Sequence, residues 1–181
     1  MQRILFAFLL WLTASTTKAQ MTPSSKGSST VEDSSRFPLA GTWILKAAQV
    51  LFPDGSLVTD TSYGLHAKGI LMIDADGQYS LQIFRPDRLK FSSGDKKRGT
   101  PEEYESALLG ISTHIGHIKM DKANKTLQFK IDYAAFPNWD NSIQTRRFRL
   151  SDSELYYEVP AKTANSPVAV SIWTRKTGKS E

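Results

Sequence analysis

From Leu39 to Arg175 the chain alternates apolar and polar residues in short runs, each ended by residues that turn the backbone. A period of two with turns at short intervals restricts the fold to a largely antiparallel sheet. The first strand is expected over residues 39–51, ending at Pro53-Asp54-Gly55-Ser56, after which Leu57 and Val58 extend briefly. Lys68–Ile73 and Gln78–Phe84 flank Asp74-Ala75-Asp76-Gly77, whose Asp-Gly step predicts a hairpin. Residues 85–99 carry too much charge and glycine for a strand. They lead into Thr100-Pro101-Glu102-Glu103, which combines an N-cap, a proline at the first helical position and acids in the first turn, predicting one helix over Pro101–Leu109. Strands are then expected over 113–120, 126–133, 143–150, Glu154–Val159 and Val168–Arg175. The pattern predicts an all-β fold of about eight antiparallel strands closed into a barrel, with one short helix near the mouth.

The N-terminus reads differently. Arg3, an apolar run over 4–12 and Thr17-Lys18-Ala19 make residues 1–19 an expected signal peptide, so the protein is expected to be secreted. That run is far short of the roughly 20 residues that span a bilayer, and no stable membrane span is expected in the mature form. Residues 20–36 are rich in serine and threonine and poor in large apolar side chains, which predicts a disordered tether. The barrel domain is expected over 37–177, with a short tail at 178–181. The chain has no cysteine, which removes disulfides, thiolate metal sites and cysteine nucleophiles, and leaves the core to hold the domain together. The formal charge of +5 arises from basic residues interspersed with acidic ones rather than gathered on one stripe, so nucleic acid is not an expected partner. Asn124-Lys125-Thr126 is a candidate glycosylation acceptor, at Asn124, in an exposed turn.

Alternation also assigns faces. Leu127, Phe129, Ile131 and Tyr133 are expected to share the inward face of one strand, and Gln144, Arg146, Phe148 and Leu150 one side of a later strand. An inward Arg146 requires an acceptor, because an unpaired buried charge is expensive. Two readings follow: Arg146 binds a carboxylate, carbonyl or phenolate on a ligand, or it pairs with an inward carboxylate such as Glu158. His114 and His117 would share a face on a helix and oppose each other on a strand. The strand assignment argues against a two-histidine metal site, so no metal is expected. No nucleophile elbow, P-loop, zinc-protease helix or dinucleotide fingerprint occurs, and no cofactor is expected.

Ala40-Gly41-Thr42-Trp43, Arg85-Pro86-Asp87-Arg88, Ser93-Gly94-Asp95, Gly99-Thr100-Pro101-Glu102-Glu103-Tyr104, Phe136-Pro137-Asn138-Trp139 and Gln144-Thr145-Arg146-Arg147-Phe148 occur in this order. Together they resemble the lipocalin-like domain family over residues 38–176. The resemblance implies a small barrel with one closed end and a cavity that accepts a ligand. It also implies closure by Trp43 against Arg175, as the first-strand tryptophan of true lipocalins packs on an arginine. Where the family carries aromatics after the helix, this chain has His114-Ile115-Gly116-His117-Ile118, which implies more polar contacts. The function expected is binding of a small, largely apolar molecule, a secondary metabolite or its intermediate, between Tyr79, Phe129, Tyr133, Asn138, Trp139, Gln144, Arg146, Phe148 and Trp173. The alternative is a cofactor-free cyclase or isomerase of a biosynthetic pathway, with Arg146, His114 and His117 as its candidate catalytic groups.

Overall fold

A computed structural model describes residues 36–160, 163 and 166–177. The expected signal peptide and tail, and all of the expected tether except Arg36, lie outside the described residues. Nine strands form one antiparallel sheet: β1 (Gly41–Leu51), β2 (Leu57–Thr59), β3 (Lys68–Ile73), β4 (Gln78–Phe84), β5 (Ile111–Asp121), β6 (Thr126–Ala134), β7 (Ser142–Leu150), β8 (Glu154–Val159) and β9 (Val168–Arg175). Beyond the short β2, which extends the far end of β1, neighbours follow chain order. Pairing of β1 with β9 closes the other eight into a barrel. Closure leaves no free edge around most of the circumference, which removes the aggregation hazard of an open sheet.

One end is shut by the segment before β1. Leu39 is fully buried, and the Trp43 indole N–H donates to its carbonyl at 2.9 Å. The Arg175 guanidinium lies 4.0 Å from the Trp43 ring centre and donates to the carbonyls of Ala40, Pro38 and Asp152. The closure implied by the first and last strands is therefore present.

At the opposite end the connections are longer. A 3-10 turn at Thr61–Tyr63 follows β2, and a second at Pro137–Trp139 precedes β7. The single helix, α1 (Pro101–Leu109), joins β4 to β5 at this same end. It begins with a full capping box: Thr100 Oγ1 accepts from the Glu103 N–H, and Glu103 returns a carboxylate oxygen to the Thr100 N–H. The other Glu103 oxygen accepts from the Ser92 N–H, so this carboxylate ties helix and preceding loop together. Thr100→Ala removes one arm of the box and is expected to lower stability by about 1 kcal/mol in chemical denaturation, with the barrel unchanged.

Two irregularities set which side chains reach the interior. Between β5 and β6 the register runs from Ile115 opposite Tyr133 to Gly116 opposite Ile131, leaving Asp132 as an extra residue. Gly116 permits this bulge, since a Cβ there would sit 2.0 Å from the Lys130 carbonyl oxygen. Between β1 and β9 the register skips Lys46, so Trp43 and Leu45 point inward and Ala48, not Ala47, continues the inner row. The core is built from Leu39, Trp43, Leu71, Leu81, Phe129, Leu155, Tyr157 and Trp173 with their neighbours.

Candidate functional site

Five strands, β4, β5, β7, β8 and β9, bring polar side chains into the barrel interior. β7 places Ser142, Gln144, Arg146 and Phe148 inward by simple alternation, and Arg146 is 2% exposed. Its guanidinium carbon lies 4.0 Å from the Phe129 ring centre and 5.1 Å from that of Tyr157. Its Nη2 donates to Gln144 Oε1 at 2.8 Å and approaches His114 Nε2 at 3.5 Å, while its Nε has no partner. Among the described residues no carboxylate lies within 4.0 Å of it. Burial, unrelieved by an ion pair, pushes the guanidinium pKa down.

β5 contributes His114, also buried. Its Nδ1 lies 2.7 Å from the Tyr79 hydroxyl, which β4 supplies. Because arginine carries donors only, Nε2 must be the accepting nitrogen, which puts the proton on Nδ1 and has it donate to Tyr79. Burial first, and the adjacent Arg146 second, hold the His114 pKa down at about 3. The imidazole is therefore neutral at physiological pH. An unfolded chain titrates near 6.5, so below that value it binds a proton that the folded state refuses. Stability is expected to fall as pH drops from about 6.5 towards 3, by up to about 1.4 kcal/mol per pH unit. His114→Gln should flatten this slope between pH 6.5 and 5; equal slopes in variant and wild type would contradict a buried neutral imidazole.

Above these groups lies a cavity of about 180 Å³. Leu81, Ile83, Ala48, Val159 and Val170 make its apolar walls, and Arg146, His114, Tyr157, Ser112 and Ser171 its polar side. Burial raises the pKa values of Tyr79, Tyr63 and Tyr157, so these phenols stay protonated. The two 3-10 turns supply Asp60 and Tyr63, and Trp139, at the mouth. α1 contributes no lining residue; Glu103 is its one buried side chain, and Tyr104 packs edge-on against Phe91 of its own loop. A larger hollow of about 870 Å³ at the closed end is lined by half-buried and exposed residues such as Phe37, Met120 and Lys122, and holds no buried ionisable group.

The residues expected at the site divide accordingly. Arg146, His114 and Trp139 line the cavity. Tyr79 and Phe129 touch His114, and Phe129 and Gln144 touch Arg146. Trp173 is buried in the core, stacked on Tyr157 with its Nε1 unpartnered, and Phe148 is half-buried against the same core. Three expectations are corrected. Tyr133 is 67% exposed, because the bulge at Asp132 reverses the phase of β6 beyond Ile131. Asn138 is exposed on its 3-10 turn. His117 faces away from His114 and meets the Asp76 carbonyl at 2.8 Å, bracing the β3–β4 turn. Leu150 also drifts out to 37% exposure at the end of β7.

Glu158, the structural partner considered for Arg146, lies on the outer face of β8, where it accepts from the Tyr156 hydroxyl. Tyr157 takes the inward place instead. Leu155, Tyr157 and Val159 alternate with Glu154, Tyr156 and Glu158, so the sequence carried the signal for Tyr157. Nothing in the sequence marked Asp60 or Tyr63, whereas Ser112 and Ser171 lie two residues from His114 and Trp173, on the faces that alternation shares with them.

Among the described residues no group of three His, Asp or Glu side chains is placed to hold a metal ion, and no helix is long and apolar enough to cross a membrane. Asn124 is exposed in the β5–β6 turn, and its side-chain amide donates to Asp121 at 2.7 Å. No curated protein matches the chain. The family model for a lipocalin-like domain matches residues 40–176, the whole barrel from β1 to β9. On that match, and on a closed antiparallel barrel with an internal cavity, the chain belongs to the lipocalin-like domain family.

Proposed function

We propose that the protein is a secreted binding protein that holds a small, largely apolar molecule inside the barrel, with Arg146 as the polar anchor. One observation carries this reading: a fully buried arginine without a carboxylate partner borders a cavity whose other walls are mostly apolar. Such a charge is costly to leave unanswered, and a ligand acceptor answers it. The ligand class that fits is a secondary metabolite or its intermediate. Secretion through a cleaved signal at 1–19, a flexible tether over 20–36 and glycosylation at Asn124 belong to the same proposal. Titrating ¹⁵N-labelled protein with toluene tests the pocket. The amides that shift should cluster at Ile83, Ser112, Val159 and Val170; shifts confined to the outer face of the barrel would contradict it.

A catalytic reading is favoured by one contact. The Tyr79 hydroxyl, the neutral His114 and Arg146 form a continuous polar chain, which fixes a positive charge in the cavity wall. That arrangement suits a cofactor-free isomerase or cyclase, in which the cation stabilises a developing oxyanion and His114 holds the guanidinium in place. Conversion of a pathway intermediate by wild type but not by His114→Gln, with ligand affinity retained, would establish it. Tight binding with no conversion would leave the carrier.

A further inference from the structure

The polar inventory of the cavity is unbalanced towards donors. Arg146 Nε has no acceptor, and its Nη2 meets only two neutral ones, Gln144 Oε1 and His114 Nε2. The Tyr63 and Tyr157 hydroxyls and Ser112 and Ser171 add further hydrogen-bonding hydroxyls. The cavity's one carboxylate, Asp60, is at the mouth and spends Oδ1 on the Ser62 N–H. Fixed charge inside therefore amounts to a single guanidinium, because His114 is neutral. A doubly charged phosphate would be left half-compensated in a low-dielectric site; a monoanion is matched. Volume sets the second limit. A cavity of ~150 Å³ holds benzene, so about 180 Å³ holds one substituted ring or a short branched chain, and excludes an extended acyl chain.

We propose that the natural occupant is a compact organic carboxylate, bound as its anion with the carboxylate on Arg146 and a ring or branched alkyl group against Ile83, Val159 and Val170. This rests on the binding reading above and narrows it to one ligand class. The guanidinium lines the cavity, and a carboxylate there would answer its charge with a charge-assisted hydrogen bond.

Isothermal titration of the purified protein at pH 7 separates the two levels of the argument. The probes are benzoate, phenylacetate and 3-methylbutanoate, each against its primary amide, with dodecanoate as the oversize acid. At least one short acid should bind roughly 10- to 100-fold more tightly than its amide, the difference that a charge-assisted hydrogen bond supplies. Arg146→Met should lose that preference while still binding the amide, and Arg146→Lys should recover only part of it. Dodecanoate should give no heat. Amides binding as tightly as acids, or acid preference surviving in a folded Arg146→Met, would overturn the carboxylate while leaving a neutral-ligand pocket. Dodecanoate binding would overturn the size limit. If no acid and no amide bound to folded wild type, the carboxylate proposal would fall together with the pocket reading.

Discussion

Arg146→Met is expected to stabilise the ligand-free protein while losing its preference for an acidic ligand. The guanidinium is fully buried, has no ion pair and leaves its Nε unanswered, so the empty barrel carries an uncompensated desolvation cost. Methionine keeps most of the side-chain volume and its contacts with Phe129 and Tyr157, and removes the charge. Replacing buried charges by apolar side chains of similar size has stabilised proteins by about 1 to 4 kcal/mol, which here corresponds to a rise of several degrees in Tm. Ligand should narrow or reverse the gap. At a concentration 100 times its Kd, ligand raises wild-type stability by about 2.7 kcal/mol, whereas a variant that binds roughly 10- to 100-fold more weakly gains only about 0.4 to 1.4 kcal/mol. Differential scanning calorimetry of both proteins, with and without ligand, reads all four values. A variant destabilised by 3 kcal/mol or more would instead make Arg146 a structural group, as the buried-pair reading required.

Trp43→Ala is expected to cost about 3 to 5 kcal/mol, among the largest single-site losses in the fold. The indole is fully buried, donates to the Leu39 carbonyl and carries the Arg175 guanidinium on its face. Arg175 in turn holds the carbonyls of Pro38, Ala40 and Asp152, so one truncation loosens the segment before β1 and the end of β9 together. For a domain with about 5 to 15 kcal/mol in hand, that loss brings unfolding within reach of mild denaturant. Trp43→Phe restores most of the apolar burial but not the N–H, and should recover more than half of the deficit. Urea denaturation of the three proteins checks the order. Ligand affinity in Trp43→Phe should stay unchanged, since Trp43 closes the end opposite the cavity.

Most of the strands were legible because alternation and turn chemistry agree along this chain. Lys68–Ile73, Gln78–Phe84, Glu154–Val159, Val168–Arg175 and the helix Pro101–Leu109 fall where period and capping put them. Arg146 was legible as an inward charge by the same reasoning. What misled was register. Alternation continued through Ile131 puts Tyr133 inside, and only a bulge, with its extra Asp132, turns it out. Gly116 in the middle of a strand was the available sign of that bulge, since glycine there marks a close backbone approach. Glu158 was a misreading of phase that Leu155, Tyr157 and Val159 already argued against. Mouth residues such as Asp60 and Tyr63 lie on a 3-10 turn too short to show a period. Their place over the cavity comes from the pairing of β2 with β1, which no local pattern encodes.

Native mass spectrometry of the protein, purified from the organism that makes it, tests the central claim most directly. The account predicts one small molecule of fixed mass per chain, released on denaturation, and absent from Arg146→Met isolated in the same way. A wild-type protein that arrives at its bare chain mass, and gains no mass when incubated with a small-molecule extract of its own host, would contradict it.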